Sequence, residues 1–93
     1  MRFEWDEEKN KKNIRRRGIG FNDVIPVFYD ENAISYCDNR YSYPDGERMV
    51  IIGQSHERLF YVAYADIEEG KIIRIISARL AEKLDIQCYQ RGF

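Results

Sequence analysis

Residues 48–77, RMVIIGQSHERLFYVAYADIEEGKIIRIIS, contain three apolar runs separated by two short polar links. The runs cover residues 48–53, 59–65 and 72–77 and are rich in Val, Ile, Phe and Tyr, which pleated, half-buried strands favour. The links are short enough for antiparallel hairpins. This stretch therefore predicts a three-stranded meander.

A helix is predicted upstream of the meander, between Asp6 and Gly18, after a short opening strand at residues 2–5. Asp6 is a residue type favoured at helix N-caps, and the two glutamates that follow place negative charge in the first turn. Three consecutive arginines place positive charge in the last turn, and Gly18 can end the helix in the left-handed conformation. All of these local signals agree on one helix.

Less regular segments lie between this helix and the meander. Residues 22–29 predict a short helix capped by Asn22, because apolar residues recur there at helical spacing, although Pro26 is tolerated only near a helix start. Residues 33–37 predict a strand, and residues 39–46 predict a loop rich in turn formers.

The last part of the chain, residues 78–90, predicts a helix. Ser77 is a candidate cap, and Leu80, Leu84 and Cys88 form the apolar stripe of this helix. Helices before and after a meander indicate an α+β layer fold.

The composition is that of an ordinary globular protein, and residues 1–93 are expected to form one domain. Hydrophobic residues make up 44% and charged residues 33% of the chain, which excludes collagen-like, disulfide-scaffold and extended disordered proteins. The apolar runs are far shorter than the ~18 residues of a membrane-spanning helix, and no export leader precedes Arg2. Cys37 and Cys88 favour reduced thiols, with a disulfide between them left open. We therefore expect a cytoplasmic protein without membrane contact.

Charge is distributed unevenly along the chain, whose formal net charge is only −1. Residues 1–17 carry a net charge of +3, residues 18–47 carry −5 and residues 48–93 carry +1. This asymmetry allows a local basic surface that attracts a polyanion. The alternative, solvated charge that serves solubility, has equal weight at this point.

Arg74 is the position that most strongly suggests chemistry. Strand alternation places it on the same face as Ile72 and Ile76, where a charge is costly unless it reaches water, a carboxylate or an anionic ligand. One interpretation is a phosphate-binding arginine, because the planar guanidinium suits phosphate oxygens. The alternative is an ion pair with Glu68, Glu69 or an acidic residue elsewhere.

Three further residues are weaker candidates. Arg79 stands at the predicted start of the last helix, where a positive charge opposes the helix dipole, so a binding role and a plain surface position are both open. His56, the only histidine, can transfer protons near neutral pH, but a solvated loop position is commoner. Tyr89 can stack on a base or take part in chemistry. No metal-ligand spacing occurs, because Cys37 and Cys88 are 51 residues apart and no second histidine exists, so no cofactor is expected.

Four blocks of the chain, in order, match a known family pattern. They are FEWDEEK at residues 3–9 with Asn13, Gly18 and Phe21; VFYD at 27–30; ER at 47–48 leading to IGQS at 52–55 and RL at 58–59; and IIRIISAR at 72–79. In these blocks the chain resembles the BrnT family of toxins over essentially its whole length. The last block is the most specific.

The resemblance implies a fold like that of the RelE and ParE toxins, a small antiparallel sheet with helices packed on one face. It implies an endoribonuclease toxin of a type II toxin–antitoxin pair, which inhibits translation and growth. The implied partners are an RNA substrate and a ribbon-helix-helix, BrnA-like antitoxin. This antitoxin forms a hetero-oligomer with the toxin and provides the only contact with operator DNA.

The expected reaction is metal-independent RNA cleavage, in which the ribose 2′-hydroxyl attacks the adjacent phosphate and arginines stabilise the developing charge. The expected catalytic residues are Arg58, Arg74, Arg79, Lys83 and Tyr89, and the expected RNA-binding residues are Lys9 and Arg48. Most of these positions are carried over from the family. Reasoning from the residues alone favours Arg74 and Arg79, with Lys83, Tyr89 and Glu47 as candidates for proton transfer.

The chain departs from the family pattern in three places. Arg17 stands where a histidine is usual, Leu80 stands where a lysine often follows the arginine, and residues 65–67 lack the common threonine and arginine. The alternative function is therefore a catalytically weak or inactive interaction module within an antitoxin–repressor complex. A toxin that acts on DNA gyrase, as relatives of this fold do, is a third interpretation.

Overall fold

The computed structural model describes residues 1–38 and 47–92, which form a five-stranded sheet and three helices. The strands are β1 (Arg2–Glu4), β2 (Ile34–Cys37), β3 (Arg48–Ser55), β4 (Arg58–Asp66) and β5 (Ile72–Leu80). The helices are α1 (Glu7–Arg17), a 3₁₀ helix (Phe21–Tyr29) and α2 (Lys83–Arg91). The predicted loop at 39–46 lies outside the described residues. In the described part of the chain, no helix is long and apolar enough to cross a membrane.

α1 confirms the local signals read from the sequence. The Oδ1 atom of Asp6 accepts hydrogen bonds from the backbone N–H groups of Glu8 at 2.8 Å and Lys9 at 3.4 Å. Gly18 ends the helix with a φ of 70°, a conformation that costs a residue with a Cβ about 1–2 kcal/mol. Both ends of α1 are therefore specified by short-range contacts.

The second predicted helix forms, but as a 3₁₀ helix that begins one residue earlier. Its fully buried residues, Phe21, Val24 and Val27, recur every three residues, which is the period of a 3₁₀ helix. Pro26 lies inside it and disfavours an α-helical ladder, because proline has no N–H and clashes with the carbonyl four residues before. Asn22 is not the cap, since the helix starts after Gly20.

The predicted meander is confirmed, with strands longer than the apolar runs. β3 pairs with β4 over its full length, down to Ser55 opposite Arg58, so only His56 and Glu57 remain to form the turn. Both residues have positive φ angles, 51° and 68°. This is the geometry of a type I′ hairpin turn, which usually carries Asn-Gly.

The sheet has the strand order β1-β5-β4-β3-β2. β1 pairs with β5 in parallel, whereas the other neighbouring strands are antiparallel, so the expectation of a purely antiparallel sheet is wrong for this one pair. A parallel pair needs a long connection between its strands. Here that connection is the whole chain between the first and last strands.

The end of the meander also differs from the prediction. β5 continues through Leu80, because its last residues pair with β4, and α2 begins only at Lys83. Arg79 therefore lies in a strand, and the predicted helix start near Ser77 is wrong. Pairing with the neighbouring strand outweighs the weak local preference for a helix. Glu82 is the residue that precedes the helix.

The helices pack on both faces of the sheet, so the expectation of helices on one face is wrong. Ile51 of β3 belongs to the apolar cluster that contains the buried residues of the 3₁₀ helix. Its neighbours Val50 and Ile52 pack instead with Cys88 and Tyr89 of α2. Successive strand residues point to opposite faces. We call the two faces the core face and the α2 face.

α1 continues the sheet edge where β1 ends. The Nδ2 group of the buried Asn13 donates to the carbonyl of Ala78 at 3.0 Å, and its Oδ1 atom lies 3.4 Å from the backbone N of Ala78. The side-chain amide thus pairs with β5 as the backbone of a neighbouring strand would. A second bond, 2.8 Å long, joins Nδ2 to the carbonyl of Ile19. These bonds hold α1 beside the α2 face.

Candidate nucleic-acid interface

Arg74 lies on the α2 face, in a row of paired residues that runs across four strands: Glu4, Arg74, Ala65 and Arg48. Its Nε and Nη2 groups lie 2.7 and 2.6 Å from the Oε2 atom of Glu4. The sequence left two interpretations of Arg74 open, a phosphate-binding residue or an ion pair. The structure contains an ion pair, and the partner is Glu4 of the parallel strand β1 rather than Glu68 or Glu69. The Arg74 side chain is still 43% exposed and reaches solvent.

A cleft of about 290 Å³ lies over this row, and we call it the edge cleft. Among the residues that the structure describes, its lining comprises three cationic, two acidic and two apolar residues: Lys9, Arg48, Arg74, Glu4, Asp6, Trp5 and Ile76. Both carboxylates already have partners, because Glu4 pairs with Arg74 and Asp6 caps α1. The two predicted RNA-binding residues, Lys9 and Arg48, are thus brought together with Arg74.

A second, smaller cleft continues from the edge cleft along α1. It has a volume of about 150 Å³ and is lined by Lys9, Lys12, Asn13, Arg16, Arg17, Ile76 and Ser77. Lys9 and Ile76 line both clefts, which makes them continuous. We call Lys9, Lys12, Arg16, Arg17, Arg48 and Arg74 the basic strip. The described lining of the two clefts contains these six cations against two carboxylates. The charge asymmetry of the sequence is therefore a real local surface.

Arg79 lies on the same face, five residues further along β5, a span of roughly 16 Å at ~3.3 Å per residue. Its Cζ atom is 3.8 Å from the ring centroid of Tyr61. Its Nη1 group donates to the Oδ2 atom of Asp85 at 2.8 Å and lies 3.5 Å from Glu82. The side chain of Arg79 is 26% exposed and that of Asp85 is 12% exposed. Carboxylates from the start of α2 thus already neutralise this guanidinium.

A β-bulge brings Arg74 and Arg79 to one face. The pairing of β5 with β4 shifts by one residue between Ala63 and Tyr64, so Arg74 pairs with Ala65 and Arg79 pairs with Tyr61. Without that extra residue, side chains five positions apart would point to opposite faces. The bulge is therefore what allows both arginines to serve one surface.

A groove of about 820 Å³ runs beside Arg79, and we call it the α2 groove. Its described lining is Tyr36, Cys37, Asp38, Tyr61, Arg79, Glu82, Lys83, Leu84 and Asp85, a set with three carboxylates against two cations. Leu84 is 74% exposed and Leu80 is 44% exposed, so two residues of the predicted apolar stripe are not buried. Burial and then the charge and hydrogen bond of Tyr61 raise the pKa of Tyr36 to about 12, so this phenol is neutral near pH 7.

Tyr89 lies elsewhere, in a cavity of about 420 Å³ lined by the residues before β2. Its hydroxyl donates to the Oδ2 atom of Asp30 at 2.8 Å. Burial acts to raise the pKa of Asp30, but hydrogen bonds from the Asn32 and Gln54 N–H groups and from Tyr89 outweigh it and lower that pKa. Burial and the bond to Asp30 raise the pKa of Tyr89. This pair connects α2 to the end of the 3₁₀ helix.

Arg58 is not brought together with the other predicted catalytic residues. It stands at the hairpin end of β4, with its Cζ atom 5.7 Å from the ring centroid of Phe60. Phe60 belongs to the cluster on the core face, and residues two apart in a strand share a face. Arg58 therefore points away from the face that carries Arg74 and Arg79.

The remaining candidates have plain surroundings. His56 is exposed in the hairpin turn. Cys37 and Cys88 form no disulfide, and the Sγ atom of Cys37 donates to the Oε2 atom of Glu47 at 3.9 Å. Within residues 1–38 and 47–92, no group of three or more His, Cys, Asp or Glu residues is arranged to hold a metal ion.

Sequence reasoning missed the residues that surround the two arginines. Glu4 faces Arg74 only because β1 pairs in parallel with β5, and no local pattern indicates that pairing. Asp85 had a usable signal, because a carboxylate three residues after Glu82 is typical of the first turn of a helix. That signal would have moved the helix start past Arg79.

Comparison with known proteins adds one finding to this geometry. A family model of the ribonuclease toxin BrnT of type II toxin–antitoxin systems matches residues 5–85, which include every predicted site residue except Tyr89. No curated protein matches the chain. Because the family match covers most of the sequence, the protein belongs to the BrnT family of ribonuclease toxins.

Proposed function

We propose that the protein is an endoribonuclease that binds the RNA backbone along the basic strip and cleaves it at Arg74 without a metal ion. The observation that carries this proposal is the local charge of the strip: in the described lining of the two clefts, six cations lie against two carboxylates that already have protein partners. RNA binding is driven mainly by such contacts with phosphates. A chain with a net charge of only −1 gains this potential from its local arrangement.

The proposed reaction is an internal transfer of the phosphoryl group. The ribose 2′-oxygen forms a bond to phosphorus while the bond to the 5′-oxygen breaks and this oxygen takes a proton from solvent water, which leaves a 2′,3′-cyclic phosphate and a free 5′-hydroxyl. Arg74 stabilises the charge that grows on the phosphate oxygens, and Glu4 holds its guanidinium in a fixed orientation. Glu47, which precedes Arg48 in the chain, is the proposed base that accepts the 2′-hydroxyl proton.

The other predicted catalytic residues receive different roles in this proposal. Arg79 is a positioning residue that holds α2 against the sheet through Asp85 and Tyr61. Lys83, exposed at the start of α2, supplies a cation beside Arg79 for a phosphate further along the RNA. Tyr89 donates its hydroxyl proton to Asp30, so we propose a structural role for it.

The antitoxin is the proposed occupant of the α2 groove. The groove combines exposed Leu84 with an excess of carboxylates, so it suits a segment that carries both apolar and basic side chains. We propose a ribbon-helix-helix, BrnA-like antitoxin in a hetero-oligomer that contacts operator DNA only through the antitoxin. Free toxin would then cut RNA, inhibit translation and arrest growth.

The test is RNA cleavage by the purified chain in excess EDTA. The wild type is compared with an Arg74→Ala, Arg79→Ala double variant and with Lys11→Ala, which removes an exposed α1 cation outside the basic strip. We expect cleavage by the wild type and by Lys11→Ala but not by the double variant. Equal cleavage by all three would refute the proposed site.

A binding-only role is the second candidate, favoured by exposed Leu80 at the position where the family often has a lysine. Overexpression in bacteria separates the two functions. An active toxin arrests growth, and co-expressed antitoxin restores it. A chain that binds the antitoxin but leaves growth and RNA unchanged would support the binding-only role. DNA damage without loss of RNA would instead indicate an action on gyrase.

A further inference from the structure

We infer that Trp5 forms a nucleobase subsite in the edge cleft, where its indole stacks on the base of the nucleotide whose phosphate Arg74 binds. This inference rests on the proposed function, because it assumes that RNA occupies the cleft. It adds a second element of recognition, the base itself, to a surface that otherwise contacts the backbone.

The first support is position. Trp5 lines the edge cleft together with Lys9, Arg48 and Arg74, so a tryptophan that also packs against the core cluster borders the same small space as three cations. At about 290 Å³, that space lies near the lower end of ligand sites and suits one nucleotide. Ala65 is fully buried in the row between Arg74 and Arg48, and its small side chain takes up little of the space between them.

The second support is the way in which the ring is held. Trp5 is half-buried, its ring lies edge-on to Phe21 at a centroid distance of 6.0 Å, and its Nε1–H group donates to Glu7 at 3.3 Å. These contacts fix the indole from the side of the core. An aromatic ring that is already ordered loses little conformational freedom when a ligand binds.

The third support is the combination of groups. Proteins that bind single-stranded nucleic acid combine a cationic groove for the backbone with aromatic side chains on which bases stack. The edge cleft has both features. Its excess of cations also disfavours the alternative ligand of an indole ring, a cation bound over the ring face. Stacking tolerates any base, because every base has a π-face. The subsite should therefore bind any of the four bases.

Trp5 is the only tryptophan in the chain, so its fluorescence reports on this cleft directly. The probe is a tetranucleotide with 2′-O-methyl riboses, which lacks the attacking hydroxyl and is not cleaved. An abasic tetramer of the same backbone and inorganic phosphate serve as probes without bases. We expect saturable quenching by the base-bearing tetramer and none by the two other probes.

Variants separate stacking from a loss of folding. Trp5→Ala should weaken binding of a labelled base-bearing tetramer about 5- to 150-fold and leave binding of the abasic tetramer unchanged. Trp5→Phe keeps an aromatic ring against Phe21 and should retain most of the affinity. Tyr29→Ala removes an aromatic side chain that is 63% exposed outside the cleft and should change neither affinity.

Three results would overturn the inference. If both tetramers bind equally to the wild type and the fluorescence does not change, no base stacks on Trp5, whereas Arg74-dependent RNA cleavage would still support the proposed function. If neither tetramer binds and the EDTA assay shows no cleavage, both proposals fail. Binding that Trp5→Ala weakens equally for both tetramers would show a structural role only.

Discussion

Arg74 and Arg79 lie on one strand and one face, yet their surroundings differ in charge. Arg74 pairs with Glu4 in a cleft whose described lining contains three cations and two carboxylates. Arg79 lies between a tyrosine ring and two carboxylates of the α2 region, in a groove where acids predominate. Its side chain is 26% exposed, compared with 43% for Arg74.

This difference separates two uses of the same side chain. A guanidinium in a surplus of positive charge attracts a phosphate, whereas one that is already neutralised on a ring stabilises the packing of the elements that hold it. We therefore expect substitution of Arg74 to reduce the cleavage rate and substitution of Arg79 to reduce the stability of the fold.

The largest effect is expected for Arg74→Ala, which should lower the rate of RNA cleavage about 10²–10³-fold, as loss of one charge-stabilising donor does. Its free energy of unfolding should change by less than about 1 kcal/mol, because the pair with Glu4 is partly exposed. Single-turnover cleavage and urea unfolding measure the two quantities. Arg74→Lys should recover part of the rate, since it keeps the charge and loses the planar fork. An unchanged rate in Arg74→Ala would contradict the assignment of Arg74, rather than Arg79, as the phosphate-binding arginine.

Arg79→Ala should lower the free energy of unfolding by about 2 kcal/mol, because it leaves Asp85 without its charged partner and removes the stack on Tyr61. Urea unfolding measures this change. In a double-mutant cycle with Asp85→Ala, the double variant should lose less than the sum of the two single variants. A variant with normal stability but no cleavage would instead make Arg79 a catalytic residue, as the sequence suggests.

A smaller effect of about 1 kcal/mol is expected for Tyr89→Phe, which removes the hydrogen bond to Asp30. The lowered pKa of Asp30 contributes stability that is present above its ordinary pKa and is lost as the pH falls. The raised pKa of Tyr89 contributes stability that is present below about pH 10 and is lost as the pH rises through the folded-state value. Thermal unfolding measured from acid to alkaline pH should show both losses of stability in the wild type. Tyr89→Phe should lack the part of the alkaline loss that the ionisation of Tyr89 causes. Identical pH profiles would exclude a role for this pair.

The smallest effect is expected for Arg58→Ala, although the family resemblance implies a catalytic role for Arg58. The residue lies over Phe60 on the core face, away from the basic strip. We expect no measurable change in the single-turnover rate at low salt. A loss comparable to that of Arg74→Ala would show that RNA reaches both faces of the sheet.

Several parts of the site follow from local sequence. Asp6 and Gly18 define α1, and α1 carries four of the six cations of the basic strip, Lys9, Lys12, Arg16 and Arg17. Strand alternation correctly places Arg74 on a face with Ile72, because both residues lie before the bulge. These features depend on contacts within a few residues, which the order of the side chains specifies directly.

Other parts depend on partners that are distant in the chain. The ion pair of Arg74 needs the parallel pairing of β1 with β5, and Arg79 reaches the α2 face only through the β-bulge. The error in the start of α2 has the same origin, since strand pairing extends β5 through Leu80. Local propensity does not include the gain from such pairing.

α1, the meander and the family can be read from the order of the amino acids, as can the position of Arg74 on an otherwise apolar strand. That Lys9, Arg48 and Arg74 share one cleft, and that Asp85 neutralises Arg79, is visible only in the folded chain. Caps and alternation act between near neighbours, whereas the charge around a side chain is the sum over every element that folds against it.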